Sequence, residues 1–350
     1  MARFSLEGLD YPIVQAPLSG GPATPALAAA VSKAGGLGFL AAGYKDVDAV
    51  GEELEELRSL LGTDLPFGVN LFADPGHGAD AAEVGAYAER LRGEAQRAGV
   101  ELGEPRWDDD RYEQKLDLLC AERVPVVSFT FGCPPAADVA RLQESGASVW
   151  VTVTTPREAE MASGTGADAL VLQGVDAGGH RGGFDDGEPG EVGLLALIEL
   201  TRASIGDGLP LVATGGIMTG ASVAAVLTAG ASAAQLGTAF LLCPETGTSP
   251  AHRDAISRGD GPTRLTRAFT GRAARGILNR FMREHGSHAP SAYPEVHHLT
   301  APLRAAARDQ GEADAFHLWA GQAYALAEPV PAADLVARIG SEARAALHRK

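Results

Sequence analysis

The sequence is short of basic residues: 29 Lys and Arg stand against 45 Asp and Glu, a formal charge of −16. No basic stripe or arginine-rich arm interrupts that balance, so a nucleic-acid scaffold, which neutralises phosphates with positive surface, is excluded. Cysteine is scarce as well. Cys120, Cys133 and Cys243 are odd in number and far apart, which suits neither a disulfide framework nor a zinc site and points to a metal-free protein in a reducing, cytoplasmic setting. No uninterrupted apolar run of about 18 residues occurs, so no membrane span is expected. The first ten residues carry two acids and no apolar stretch, unlike a signal peptide.

Glycine is what the chain has in quantity, 44 of 350 residues, in a composition that is otherwise ordinary for a globular protein at 45% hydrophobic and 21% charged. Eight short apolar runs bounded by Gly or Pro read as strands: 11–16, 37–42, 66–72, 125–131, 148–154, 169–173, 210–214 and 233–239. Between them lie alanine-rich segments of helical period, 25–34, 46–61, 79–98 with 112–121, 136–145, 156–164, 191–204 and 220–229. Several end on Gly-Gly or Gly-Ala, where a helix stop needs a left-handed residue. Strict alternation predicts a parallel sheet, and eight units predict closure into an α/β (β/α)8 TIM barrel over residues 1–244. An open doubly wound sheet is the alternative. The string Gly36-Leu37-Gly38-Phe39-Leu40-Ala41 imitates a dinucleotide fingerprint, but a helix precedes it and a strand follows, the inverse of the context that fingerprint needs.

After residue 244 the strand signal fades. Helical stretches at 251–257, 275–284, 301–308 and 314–325 suggest a smaller helical domain, 245–325, able to close over the barrel mouth on the substrate side. A last helix at 332–347, within 326–350, is expected to return to the barrel.

In a barrel of this kind the site forms where the strands end. The residues leaving the predicted strands are Gln15-Ala16-Pro17, Gly43, Asn70, Phe131-Gly132, 152–154, Gln173, Gly215-Gly216 and Gly237-Thr238. The last two pairs follow strands 7 and 8, where backbone amides and a threonine hydroxyl can hold a phosphate without spending a lysine. A nucleotide, a flavin or a phosphorylated substrate would each fit. The loop after strand 6, QGVDAGGHRG at 173–182, sets His180 among glycines that offer it no core to fill, which marks it as a candidate base. Asp185 and Asp186 could raise its pKa, but a solvated acidic loop is the better account of them.

The segments YPIVQAPLSGG (11–21), PFGVNLF (66–72), QGVDAGGHRG (173–182), ATGGIMTG (213–220) and QLGTAFL (235–241) resemble, in order, the nitronate monooxygenases. TGRAARGILN (270–279) and LWAGQA (318–323) resemble the larger, first class of that family. The resemblance implies an enzyme that holds FMN non-covalently and oxidises alkyl nitronates, typically propionate 3-nitronate, with O2, as a monomer or homodimer. It implies flavin contacts from Ala16, Pro17, Leu18, Asn70, Gln173, Gly178, Gly215, Gly216, Gln235, Gly237 and Thr238, and a base for neutral nitroalkanes in His180. Where the family commonly reads SFHFG this chain reads SFTFG, so Thr130 replaces a histidine near the substrate. Tyr293 is a further candidate substrate contact, with a packing tyrosine as the equal alternative. An FMN-dependent enoyl-thioester reductase using NAD(P)H has a similar histidine loop, and a non-catalytic flavin or phosphoryl-ligand binding protein is the other alternative.

Overall fold

Strands and helices alternate as expected in a computed structural model, which describes residues 3–62, 65–73 and 79–348. The barrel strands are β1 (Ile13–Gln15), β2 (Gly38–Ala41), β3 (Phe67–Phe72), β4 (Val126–Thr130), β5 (Ser148–Val153), β6 (Ala169–Gln173), β8 (Leu211–Thr214) and β9 (Ala233–Leu236). A two-residue strand, β7 (Gly179–His180), falls between β6 and β8 in the chain but outside the barrel. The eight pair in parallel in the order β1-β9-β8-β6-β5-β4-β3-β2. Gln15 N donates to Leu37 O (2.9 Å), Leu37 N to Ile13 O (3.0 Å) and Phe39 N to Gln15 Oε1 (2.8 Å), which closes the seam between β1 and β2. The chain is therefore a TIM barrel, and the open-sheet alternative is set aside.

Helices α1 (Pro25–Lys33), α2 (Val47–Leu61), α4 (Tyr112–Ala121), α5 (Ala136–Ser145), α6 (Pro156–Gly164), α7 (Leu194–Ile205) and α8 (Gly220–Thr228) surround the barrel; α3 (Ala81–Ala98) does not. Three of them start at a threonine that accepts a backbone N–H: Thr24 from Leu27, Thr155 from Glu158 and Thr219 from Ser222. Side chains alternate across each strand. One phase, including Val69, Val127, Val149, Leu170 and Leu211, packs against the helices; the other, including Val14, Phe39, Val126, Trp150, Val171 and Val212, fills the lumen. Phe4, Leu6 and Leu9 pack against that inner cluster. Burying each such side chain contributes about 1.5–3 kcal/mol, so the barrel wall and lumen are the stable frame on which the mouth is built.

Residues 245–325 hold more strand than expected. After α9 (Pro250–Arg258), β10 (Thr263–Thr266) and β11 (Ala274–Ile277) form a hairpin, and β11 also pairs with β7 through Ala274↔His180 and Arg275↔Gly179. The helix expected at 275–284 is thus split into β11 and α10 (Arg280–His285), while α11 (Glu295–Gln310) is longer than the 301–308 expected. The helix expected at 314–325 is absent: short turns at Ala313–Ala315 and Tyr324–Leu326 flank an extended stretch. Ile277 N donates to Leu318 O (2.8 Å) and Ala320 N to Arg275 O (3.2 Å), so pairing with β11 overrides the local helical preference of this alanine-rich segment.

Helix α3 leaves the barrel wall to pack with α11 and α10 in a separate apolar cluster. Its buried Glu94 accepts from Arg280 Nη1 (2.7 Å) and His285 Nε2 (3.0 Å). Burial opposes that charge, but these hydrogen bonds and the guanidiniums of Arg280 and Arg97 hold the carboxyl down at about 2. Helix α12 (Ala332–Leu347) packs on α8 and α1, burying Leu335, Val336 and Ile339 in the barrel's outer core. Among the described residues no helix is long and apolar enough to cross a membrane.

Candidate active site at the barrel mouth

The inward phase of the strands changes character along the barrel. Below, it reads Val14, Val126, Trp150, Val171, Val212 and Ala233; one step toward the C-terminal ends it becomes Ala16, Ser128, Thr152, Gln173, Thr214 and Gln235, with Asn70 on β3. Two-residue periodicity therefore carries a polar ring to the top of an apolar lumen. A cavity of about 490 Å³ opens above it, reached by Ala16, Asn70, Thr130, Thr152, Gln173 and Gln235. Within the ring Asn70 Nδ2 donates to Ser128 Oγ (2.9 Å) and Thr130 Oγ1 (2.9 Å), so Thr130 holds Asn70 in place as well as facing the cavity.

On one side of the mouth the chain leaves β8 through Gly215 (φ 126°) and Gly216 (φ 69°). This left-handed pair is open to glycine and strained for other residues. A Cβ at Gly216 would lie 3.0 Å from Asp176 Cβ. Gly237 and Thr238 complete the cradle from β9, and the Thr238 hydroxyl accepts from Gly321 N (3.0 Å), leaving its own proton to donate. Gly178 has a different reason to be glycine: a Cβ there would meet Gly321 N at 2.4 Å and Ala320 C at 2.5 Å, backbone on backbone. Ala16, Pro17, Leu18, Gly178, Gly215, Gly216, Gln235, Gly237 and Thr238 all line the one cavity.

His180 is held by tertiary structure rather than by a free loop. As β7 it is paired to β11, its carbonyl accepts from Gln173 Nε2 (3.0 Å), and Gly182 N donates to Gln173 Oε1 (2.8 Å). Arg181, 1% exposed, gives its guanidinium to the carbonyls of Gln173, Gly174, Pro189 and Gly190. Glu158 fixes the loop's far side, accepting from Phe184 N (2.8 Å) and Thr154 N (2.6 Å). The imidazole Nε2 lies 2.9 Å from Thr270 Oγ1, and the ring lies 5.4 Å from Trp319 and 5.7 Å from Phe131. Phe131 itself has φ 79°, a strained backbone for a bulky residue, and its ring carries the Arg272 guanidinium at 4.2 Å.

Burial, reinforced by Arg272 and Arg304, pushes the His180 pKa down to about 3. The acids suggested by sequence do not face it. Asp186 accepts from Arg267 Nε (2.8 Å), Ala273 N (2.8 Å) and Ser291 Oγ (2.6 Å), and Asp185 accepts from Gly187 N (2.7 Å). His180 is therefore a neutral imidazole throughout the physiological range.

Tyr293 sits behind the cavity wall. Its hydroxyl donates to Tyr44 OH (3.2 Å), burial raises its pKa well above the ordinary value, and its ring lies 5.5 Å from Phe131. Tyr44 is the residue that reaches the cavity, stacked on His297 at 4.2 Å. Cys133 packs with the barrel's outer core. Sequence reasoning did not single out Tyr44, His252, His297, Arg304, His317 and Trp319, all of which line the cavity. Five of these six lie beyond residue 244, and the motif-like stretches 270–279 and 318–323 were the signal that this region belongs to the site.

The eight-stranded parallel barrel, with a polar-ringed cavity at the C-terminal ends of its strands, is the architecture of a TIM-barrel enzyme. The family model for nitronate monooxygenase matches residues 4–342. A nitronate monooxygenase of Pseudomonas aeruginosa is 42% identical, over 98% of this chain and 99% of the relative. The solved structure of a nitroalkane oxidase from Streptomyces ansochromogenes is 49% identical, covers 97% of this chain and 98% of its own, and superposes with a TM-score of 0.93. FabK from Thermotoga maritima is more distant, at 26% identity and a TM-score of 0.74 over 96% of this chain and 94% of its own. The chain belongs to the nitronate monooxygenase family and is a flavin-dependent oxidoreductase of nitronate oxidation.

Proposed function

We propose that the protein oxidises alkyl nitronates with molecular oxygen, using FMN bound non-covalently at the barrel mouth. The observation that carries this reading is the cavity itself: a polar ring, a glycine cradle on one side, a neutral histidine above, and no Asp or Glu among the described lining residues. Such a lining suits two anions, a phosphate and a nitronate, inside a protein whose net charge is −16.

The backbone amides of Gly215, Gly216, Gly237 and Thr238, with the Thr238 hydroxyl, would hold the phosphate. Ala16, Pro17 and Leu18, with Asn70, Gln173, Gly178 and Gln235, would border the ring. FMN when bound supplies the electron acceptor through which electrons pass from nitronate to oxygen. The protein's part is orientation and charge. Arg272 and Arg304, whose charges depress His180, also favour an anion near it. With the Thr270 hydroxyl donating to Arg272 O (3.3 Å), His180 Nε2–H donates to Thr270 Oγ1 and the basic lone pair falls on Nδ1. That lone pair would take the proton from a neutral nitroalkane, whereas a preformed nitronate needs no base. Residues 245–325 would act as the substrate-side cover of a barrel domain spanning 1–244. The three free thiols suit the reducing cytoplasm we propose as its location.

Anaerobic spectral titration tests the reading. The purified protein should show flavin absorbance, or gain it with FMN, and the flavin should bleach with a nitronate and reoxidise in air. No flavin after reconstitution refutes the proposal. Bleaching by NAD(P)H but not by nitronate would establish the enoyl-thioester reductase instead, and tight FMN binding without turnover would establish a binding protein.

A further inference from the structure

One fully buried cation takes no part in the chemistry above. Lys115, on α4, is 0% exposed, and its Nζ lies 2.8 Å from Asp110 Oδ2 with no further acceptor among the described residues. Burial pulls Lys115 below its ordinary pKa and pushes Asp110 above its own, against the attraction of each for the other. An ion pair buried on those terms adds little to stability compared with apolar packing of the same volume. The neighbouring pairs differ: Lys45 with Glu53 and Arg111 with Asp46 both stand partly in water.

The other Asp110 oxygen reaches the cavity wall. Oδ1 accepts from Tyr44 N (2.9 Å), in the turn that leaves β2. Tyr44 (φ 68°), Asp110 (φ 55°) and Arg111 (φ 54°) all have left-handed backbone, which non-glycine residues keep only where surrounding contacts hold it. Asp108 Oδ1 and Asp109 Oδ1 steady the far end by accepting from Asp110 N (2.7 Å) and Arg111 N (3.0 Å). The Tyr44 side chain then spans the wall: its ring is parallel to His297 (4.2 Å, 5°) and edge-on to Phe72 (5.1 Å), and its hydroxyl accepts from Tyr293 OH (3.2 Å). Tyr44, Phe72 and His297 line the cavity, whereas Asp110 and Lys115 do not.

We propose that Asp110, locked by Lys115, is a positioning residue: it fixes the Tyr44 turn, and with it the aromatic wall against which the nitronate is held. This rests on the reading above that the cavity oxidises nitronates. The buried lysine gives the carboxylate one orientation, so that Oδ1 is aimed at the amide while Oδ2 is paired. Without that acceptor the Tyr44 amide is left unpaired, and the turn relaxes to satisfy it, drawing the ring off His297.

Two double variants of the flavin-loaded enzyme provide the test. Lys115→Met with Asp110→Asn removes both charges and keeps an oxygen for Tyr44 N; Lys115→Met with Asp110→Gly removes both charges and the oxygen. Asparagine and glycine both accept φ 55°, and no charge is left unpaired, so both doubles should fold and melt within a few degrees of each other. Amide hydrogen exchange at residues 43–46 should stay near the parent rate in the asparagine double and rise roughly 3- to 10-fold in the glycine double. With ethyl nitronate, the glycine double should raise KM by a similar factor and keep kcat within about twofold, while the asparagine double recovers most of the parent KM. A pair that only stabilises the fold would leave exchange and KM equal in the two doubles, which overturns the proposal, as does a split in exchange with equal KM. A split in exchange in a protein that oxidises no nitronate would support the hold on Tyr44 and refute the reaction.

Discussion

Four histidines line the cavity, and all are held neutral by burial. His180 is pushed down to about 3 and His252 to about 4, and His297 and His317 lie well below their ordinary value. In the unfolded chain each titrates near 6.5. Below that pH the unfolded state binds more protons than the folded one, so stability falls as pH drops through 6.5 and continues to fall toward the depressed folded values. Between pH 7 and 5.5 each such histidine should withdraw about 1.2 kcal/mol, and the four together about 5 kcal/mol. For 350 residues, with an unfolding entropy of about 2.1 cal/mol/K per residue, that corresponds to a fall in Tm of roughly 7 °C. Most carboxylates titrate below this window, so it isolates the histidines. The assay is thermal melting from pH 7 to 5.5 in matched ionic strength, with His317→Phe as the control. His317 Nδ1 has no hydrogen-bond partner among the described residues, and the ring packs between Phe316 (4.2 Å) and Trp319 (5.3 Å), so phenylalanine keeps the shape and removes the proton site. The variant should lose about a quarter of the pH dependence. A Tm flat across this range, or a slope unchanged in His317→Phe, would refute the claim that burial keeps the cavity's histidines neutral.

Two further outcomes follow from the same geometry. His180→Asn should lose activity on neutral nitroalkanes by roughly 10²- to 10⁴-fold while keeping it on preformed nitronates; steady-state kinetics on one compound in both ionisation states decides, and equal activity of variant and parent on the nitroalkane rules out the base role. Gly178→Ala drives a methyl into the backbone of Ala320 and Gly321, at 2.5 and 2.4 Å. The two loops must part at a cost of about 1–3 kcal/mol, so the melting temperature and the flavin affinity, read by fluorescence quenching, should both fall, and unchanged values would show that these loops do not shape the cavity together.

The sequence by itself determined the barrel and most of its polar rim. Strand runs, helix stops and the two-residue alternation act locally, and they carry Asn70, Gln173, Thr214 and Gln235 to one end of the lumen wherever the eight units close. Gly215, Gly216, Gly237 and Thr238 were legible for the same reason, since they follow directly from β8 and β9. Tertiary structure alone decided the roof. The stretch at 316–320 is extended because β11 supplies its hydrogen bonds, and His180 is aimed by pairing with Ala274, about ninety residues away. The sequence placed near His180 two acids that could raise its pKa, with a solvated loop as the better account of them; folding turned Asp186 toward Arg267 and brought Arg272 and Arg304 up to His180, so its pKa is lowered. Charge and desolvation depend on which distant side chains meet, and no local pattern records that.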